Sequence, residues 1–210
     1  MPEDAAKKPS RIQLRNRKKI MEAALDVFSQ HGYRGATLDQ IAEAAGMSKP
    51  NLIYYFDGKE AIHVAVLNRL MEDWLAPLRD MDPAGDPLAE ILAYVRRKME
   101  MSREFPRESR LFANEILQGA PRMAPHLESG LKPLFEEKVA VIEGWIAQGR
   151  LQRTDAGQLI LSIWAITQHY ADFDAQIRVL FPDETAGWQA AFAHVDEMFR
   201  KILAPAETTG

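Results

Sequence analysis

Four consecutive residues, Ser48-Lys49-Pro50-Asn51, set a hydroxyl, an ammonium and a carboxamide at the head of a short helical run, with Tyr54 and Tyr55 one turn on. On a helix that enters a DNA major groove by its N-terminal end, these are the first side chains able to reach base edges, and the two tyrosines can reach phosphates or a thymine methyl. Thr37, at the start of the preceding run, can hold a phosphate through its hydroxyl and the free N–H groups of a helix end. The ammonium of Lys59, where a longer helical segment begins, can do the same. Upstream, the stretch from Lys7 to Lys19 holds seven basic residues and no acidic one. Within it, Arg11, Arg15 and Arg17 would add sequence-independent attraction to the phosphate backbone, the minor groove being one place from which to do so.

Charge is distributed to match. Residues 1–60 carry ten Lys/Arg against eight Asp/Glu, a net +2, so a chain total of −4 leaves −6 for residues 61–210. Positive charge gathers at one end, where a polyanion would be met. Hydrophobic residues at 47% and charged residues at 27% describe an ordinary folded protein. No run reaches the roughly 20 apolar residues of a membrane span, and residues 1–10 are polar where a signal peptide needs an apolar stretch, so a cytoplasmic protein without membrane association is expected. The absence of cysteine removes disulfides, thiol catalysis and thiolate metal sites. No phosphate loop, HExxH or GxSxG motif is present, and the five histidines are scattered, so no metal, cofactor or catalytic residue is expected. A small helical enzyme is an alternative with no motif behind it.

The elements that must position these groups are helices. Ile20, Ala24, Val27, Phe28 and His31 share one helical face, and Gly32 supplies a stop. Thr37 caps Leu38–Ala45, Gly46 turns the chain, and Ser48 caps a third helix through Tyr55. Leu38, Ile41, Ala42, Met47 and Leu52 point inward and Ala45 permits a close crossing, which is the layout of a helix-turn-helix. A connector from Gly58 to Leu78 buries Ile62, Leu67, Leu70, Met71, Trp74 and Leu78 and ends before the Asp82-Pro83-Ala84-Gly85 turn. Further helices are expected over Pro87–Glu104, Pro106–Gln118, Leu131–Gln148, Ala156–Leu180 and Thr185–Leu203. No segment shows strand alternation, so the fold class is all-α, with an arm and helix-turn-helix over 1–60, a sensing and dimerisation domain over 61–205, and a flexible tail over 206–210.

The last two helices carry apolar seams at spacings of four and three: Leu159, Ile163, Ile166, Tyr170, Phe173 and Ile177 in one, Trp188, Phe192, Val195, Phe199 and Ile202 in the other. Such seams can cover their own core or meet symmetry mates in a four-helix interface, and a reader of palindromic DNA needs that two-fold. Leu159, Ile163, Ile166, Tyr170, Phe173, Trp188, Phe192, Val195 and Phe199 are therefore the expected contacts of a homodimer.

The segments Ala24-Leu-Asp-Val-Phe-Ser-Gln-His-Gly-Tyr33, Thr37-Leu-Asp-Gln-Ile-Ala42, Gly46-Met-Ser-Lys49 and Tyr54-Tyr-Phe-Asp-Gly-Lys59 resemble the N-terminal pattern of TetR-type repressors. One position departs from it: Ile53 stands where the family usually has Tyr. Ser109-Arg-Leu-Phe112, Glu115-Ile-Leu117, Gly119-Ala-Pro121, Glu137-Lys138, Gly144-Trp145 and Ile163-Trp-Ala-Ile-Thr-Gln-His-Tyr-Ala-Asp-Phe173 resemble pyrimidine-responsive members of that family, less so over Asp82–Pro87, Arg122–Gly130 and beyond Phe173. The resemblance implies a three-helix DNA-binding domain joined to a larger helical sensor. It further implies a regulator of pyrimidine-utilisation genes, released from a palindromic operator on double-stranded DNA by uracil or thymine. An apolar effector, a drug or a fatty acyl compound, is the alternative within the family.

On the helix around Ile163, Trp164 and Gln168 lie well round the cylinder from the seam, with Asp172 one turn on. A glutamine amide can accept from a pyrimidine N–H and donate to the neighbouring carbonyl, a carboxylate can accept from a second ring N–H, and an indole offers a stacking face. Trp164, Gln168 and Asp172 are the candidate ligand contacts, with Phe112 and Glu115 on a facing helix. His169, Met99, Met101 and Phe105 could reach the same region or serve as plain core.

Overall fold

The computed structural model describes residues 10–204; Lys7, Lys8 and the tail 206–210 lie outside the described residues. Every regular element among those described is helical, and the chain divides into two compact units at Arg69/Leu70.

The first unit is built on α1 (Arg11–Gly35), α2 (Leu38–Ala44), α3 (Lys49–Tyr55) and the first turns of α4 (Lys59–Arg79). Helix α1 starts nine residues before Ile20, so from Arg11 the basic stretch is helix and not an arm. The reason is local: Ser10 Oγ accepts from the Gln13 amide at 3.3 Å while Gln13 Oε1 accepts from the Ser10 amide at 2.8 Å, a reciprocal cap. Gly32, at φ +66°, interrupts this helix where a stop was expected. Ile20, Ala24, Val27 and Phe28 are buried as their spacing predicts, whereas His31 is exposed. Ile41, Ala42, Ala45 and Leu52 close the small core between α2 and α3, with Leu38 and Met47 half-buried beside them. Helix α4 joins this unit because its His63 ring meets Phe28 edge-on at 4.7 Å and Tyr33 at 4.8 Å.

The second unit holds the rest of α4, α5 (Pro87–Glu104), α6 (Pro106–Leu117), the short α7 (Ala124–His126), a π-helical turn (Leu127–Leu131), α8 (Lys132–Ala147), α9 (Ala156–Asp172), α10 (Asp174–Leu180) and α11 (Glu184–Leu203). Asp86, Asp155 and Asp183 cap α5, α9 and α11, each accepting from the amide three residues on. The turn between α4 and α5 is pinned from α8, where Lys138 Nζ donates to the Met81 carbonyl at 3.2 Å and Trp145 Nε1 donates to the Pro83 carbonyl at 3.0 Å. A helix running from Ala156 to Leu180 does not form; it breaks at Phe173. Arg110 donates to the Ala171 carbonyl at 3.3 Å and reaches Asp174 at 3.5 Å, so a side chain from α6 engages both sides of the break.

Candidate functional site

In the first unit the candidate side chains sit on helix ends fixed by caps. Thr37 Oγ1 accepts from the Gln40 amide at 3.2 Å, with the Gln40 side chain returned to the Thr37 amide at 2.8 Å, and Ser48 Oγ accepts from the Asn51 amide at 3.4 Å. Gly46, at φ +59°, makes the turn between the two helices, a conformation a β-carbon would strain. Thr37, Ser48, Lys49, Pro50, Asn51 and Tyr54 are all exposed, as is Arg15 on α1. Lys49 is paired with Asp39 at 2.9 Å, across α3 and α2.

Two of the expected contacts also have internal work. Tyr55 is half-buried and its hydroxyl accepts from Asn16 at 2.7 Å, while Arg17 donates to the Tyr55 carbonyl at 2.6 Å and lies over the Phe56 ring. Lys59 directs two of its three N–H donors at the carbonyls of Tyr33 and Ala36, both at 2.8 Å. Arg17, Asn16 and Lys59 thus brace α3 and the start of α4 against α1. Ile53, 47% exposed, presents an apolar side chain on the outer face of α3.

The second unit holds a partly open cavity of about 70 Å³. From α9 it receives Trp164 and Gln168, and from α6 Phe112, three residues that the sequence pattern singles out. Trp164 is held in place: its indole N–H donates to the Tyr94 hydroxyl at 2.6 Å, and its ring packs at 54° against Phe135. Burial raises the Tyr94 phenol well above its ordinary range, so it is present as a neutral hydroxyl. Asp172 stands behind the wall: Ser109, which lines the cavity, donates its hydroxyl to Asp172 at 2.6 Å. Desolvation raises the Asp172 carboxyl above the usual value, opposed by the Ser109 hydrogen bond and by Arg110, Lys98 and His169.

Glu115 does not belong to this set. One carboxylate oxygen accepts from the Arg122 amide at 2.8 Å and the other from its guanidinium at 3.1 Å, so both are committed to the turn after α6. Met99 and Met101 are buried core and do not line the cavity, and Phe105 is exposed at the α5–α6 junction. The lining also includes Leu70, Met71 and Trp74 from α4, whose spacing marks them only as buried, Ser109 from α6, and Leu75, Lys98 and Leu131, which no motif singles out. Lys98 had a signal. It falls on the apolar stripe of α5 with Ile91 and Val95, where a lysine is out of place.

The seam residues divide. Leu159, Ile163, Val195 and Phe199 are at most 5% exposed, packed with Ile91, Tyr94 and Trp145 in the unit's own core, so they are not available to a second chain. Ile166, Tyr170, Trp188 and Phe192 are half-buried and Phe173 is 55% exposed. A spacing of four and three marks a buried face without saying whose.

Among the described residues no helix is long and apolar enough to cross a membrane, and no three metal-ligating side chains cluster.

Residues 20–66 match the family described as bacterial regulatory proteins, tetR family, and residues 67–206 the family described as YcdC-like protein, C-terminal region. The chain is similar to the HTH-type transcriptional regulator RutR of Escherichia coli strain K12, 49% identical over 173 residues that make up 82% of each chain. It is also similar to the HTH-type transcriptional regulator LmrA of Bacillus subtilis, 29% identical over 68% of this chain and 74% of that one. Among solved structures, a TetR-like transcriptional regulator from Rhodococcus sp. RHA1 superposes with a TM-score of 0.66 at 20% identity, covering 93% of this chain and 98% of that one. The fatty acid degradation regulator FadR from Bacillus halodurans gives 0.64 at 19% identity, covering 92% and 96%, and at these identities the two structures speak for the fold alone. These relatives are transcription regulators and not enzymes. With a helix-turn-helix unit matched at one end and a helical partner unit at the other, the chain belongs to the TetR family of bacterial transcription regulators.

Proposed function

We propose that this regulator represses genes of pyrimidine utilisation and is released from its operator when uracil or thymine enters the second unit. The observation that carries the reading is the cavity itself, where a tryptophan fixed by a hydrogen bond and a glutamine amide converge on a small space. About 70 Å³ suits one small ring, whereas drug-sized ligand sites run from about 300 Å³ upward and an acyl chain would need the cavity to open substantially. Stacking on Trp164 and paired hydrogen bonds from Gln168 match a flat imide, with Asp172 as acceptor for a second ring N–H once Ser109 yields or bridges. In a dry site, a molecule lacking those donors and acceptors would leave polar groups unpaired, which supports discrimination.

The DNA side of the proposal rests on Ser48, Lys49, Pro50, Asn51 and Tyr54 as groove-facing residues and on Thr37 and Arg15 at the phosphates, with Tyr55 and Lys59 both bracing the unit and reaching the backbone. Ile53 in place of the usual tyrosine favours apolar contact with a thymine methyl. A homodimer through Ile166, Tyr170, Phe173, Trp188 and Phe192 would hold two such heads about 34–36 Å apart on a palindrome in the cytoplasm. Helix α4 supplies cavity residues from its second half and begins in the reading unit, so it is the element through which a ligand would favour one arrangement of the heads over another.

Calorimetric titration with uracil, thymine and a fatty acyl compound tests the effector. Saturable heat from a pyrimidine and none from the acyl compound is expected; heat from the acyl compound alone would replace this reading with an apolar effector.

A further inference from the structure

Among the described residues, Lys98 is the one ammonium on the cavity wall. The residue is only 2% exposed, on the apolar stripe of α5, and among the described residues it makes no hydrogen bond and no ion pair. Its Nζ sits 4.0 Å from the centre of the Trp74 ring, an attraction to a π-face that leaves its N–H donors uncommitted. A buried charge is ordinarily hydrogen-bonded as well as balanced; Asp172 acts on this one only from beyond ion-pair distance, so an ammonium at a cavity wall with its donors uncommitted marks the place where an acceptor arrives.

We infer that Lys98 is the specificity-determining residue of the cavity, donating to a carbonyl oxygen of the bound ring while Trp74 and Trp164 offer flat faces beside it. The inference rests on the pyrimidine reading and adds to it the chemistry of the recognised edge: a carbonyl flanked by an N–H, the oxygen taken by Lys98 and the N–H by Gln168 or Asp172. A fully apolar ligand would leave the ammonium as it is now, and a ring without that carbonyl would bind no better.

Binding is then linked to protons. Burial lowers Lys98 to about 7, with Asp172 opposing the shift, so near neutral pH the amine is shared between charged and neutral forms. A carbonyl oxygen accepting from the ammonium favours the charged form and lifts the pKa of the bound state. Protons are therefore taken up on binding, and affinity falls as pH rises through about 7. The ionisable group that acts on Lys98 is Asp172 from α9, itself flanked by His169 from α9 and Arg110 from α6; α4 presents Trp74 and the apolar Leu70, Met71 and Leu75. Uracil itself is predominantly un-ionised over the range concerned, and any ionisation of the ring would act equally on the native protein and on Lys98→Met.

The test is calorimetry of the full chain with uracil at pH 6.5 and 8.5, in two buffers of different ionisation enthalpy, on the native protein, Lys98→Met and Lys98→Gln. The native protein is expected to take up protons on binding and to lose on the order of tenfold in affinity between the two pH values. Lys98→Met should bind at least tenfold more weakly at pH 6.5 with a flat pH profile, and Lys98→Gln, which keeps a donor, should fall between them and also be flat. Because methionine removes a buried charge at similar volume, its melting temperature at pH 6.5 should not fall below the native value; if it does, Lys98→Gln and the native proton uptake still decide. Native affinity in Lys98→Met, or a pH slope that survives there, overturns the role of Lys98 alone. Absence of uracil heat in the native protein overturns the pyrimidine reading and this inference with it.

Discussion

The reading unit and the sensing unit assemble their sites in opposite ways. Thr37, Ser48, Lys49, Pro50, Asn51 and Tyr54 lie within eighteen consecutive positions, exposed on helix ends whose caps are made by neighbours three residues away. The cavity in the sensing unit is drawn from α4, α5, α6 and α9, so residues nearly a hundred positions apart, such as Leu70 and Gln168, face one space. A site of the first kind is encoded locally and tolerates change elsewhere in the fold. A site of the second kind is only as well defined as the packing behind it, here the Tyr94 hydroxyl that fixes Trp164 and the Ser109 hydroxyl that holds Asp172.

That contrast can be broken most severely at Leu52, which is fully buried between α2 and α3. Leu52→Ala should lower stability by about 3 kcal/mol, as a large-to-small change in a core does. Operator binding should be lost as the reading unit loosens, while uracil heat per mole of protein persists; loss of both together would mean the two units are not separable. Next in size is Glu115→Ala, which removes both acceptors from Arg122 and should lower the melting point through a loss of about 2 kcal/mol. Uracil affinity should stay within twofold, because Glu115 braces a turn and does not line the cavity; a large drop in affinity at preserved stability would return it to the ligand site. The smallest effect is expected at Thr37→Ala, about 1 kcal/mol from the lost cap. If Thr37 also contacts a phosphate, operator affinity at moderate salt should fall several-fold more than the stability change accounts for, and by a similar factor on unrelated DNA.

The same division decides what was legible in the sequence. Caps at Thr37 and Ser48, the turn at Gly46 and the inward Ile41, Ala42 and Leu52 depend on spacing within a few residues, and the structure places them as read. Apolar periodicity begins only at Ile20, which leaves the basic stretch before it looking like an arm. The reciprocal Ser10–Gln13 cap, which starts the helix at Arg11, is a polar signal that hydrophobic spacing does not contain. In the sensing unit, resemblance and helix-face geometry point to Trp164, Gln168 and Phe112, and the structure puts these three on the cavity wall. Trp74 and Ser109 depend on which helices become neighbours, and one-dimensional spacing is silent on that. The seam of α9 and α11 shows the limit most clearly: Ile163 and Phe173 share one periodic pattern, yet Ile163 is 1% exposed and Phe173 55%. The break at Phe173, fixed from α6 by Arg110, separates them.

The central claim is that occupancy of the cavity controls the reading heads. Its most direct measurement is a gel-shift titration on DNA selected from random sequence by the native protein, with and without uracil at a concentration that calorimetry shows to be saturating, alongside Trp164→Ala. Uracil should weaken the native complex by at least tenfold, equivalent to about 1.4 kcal/mol of coupling, and leave the Trp164→Ala complex unchanged. An operator affinity that does not move while uracil is bound would contradict it.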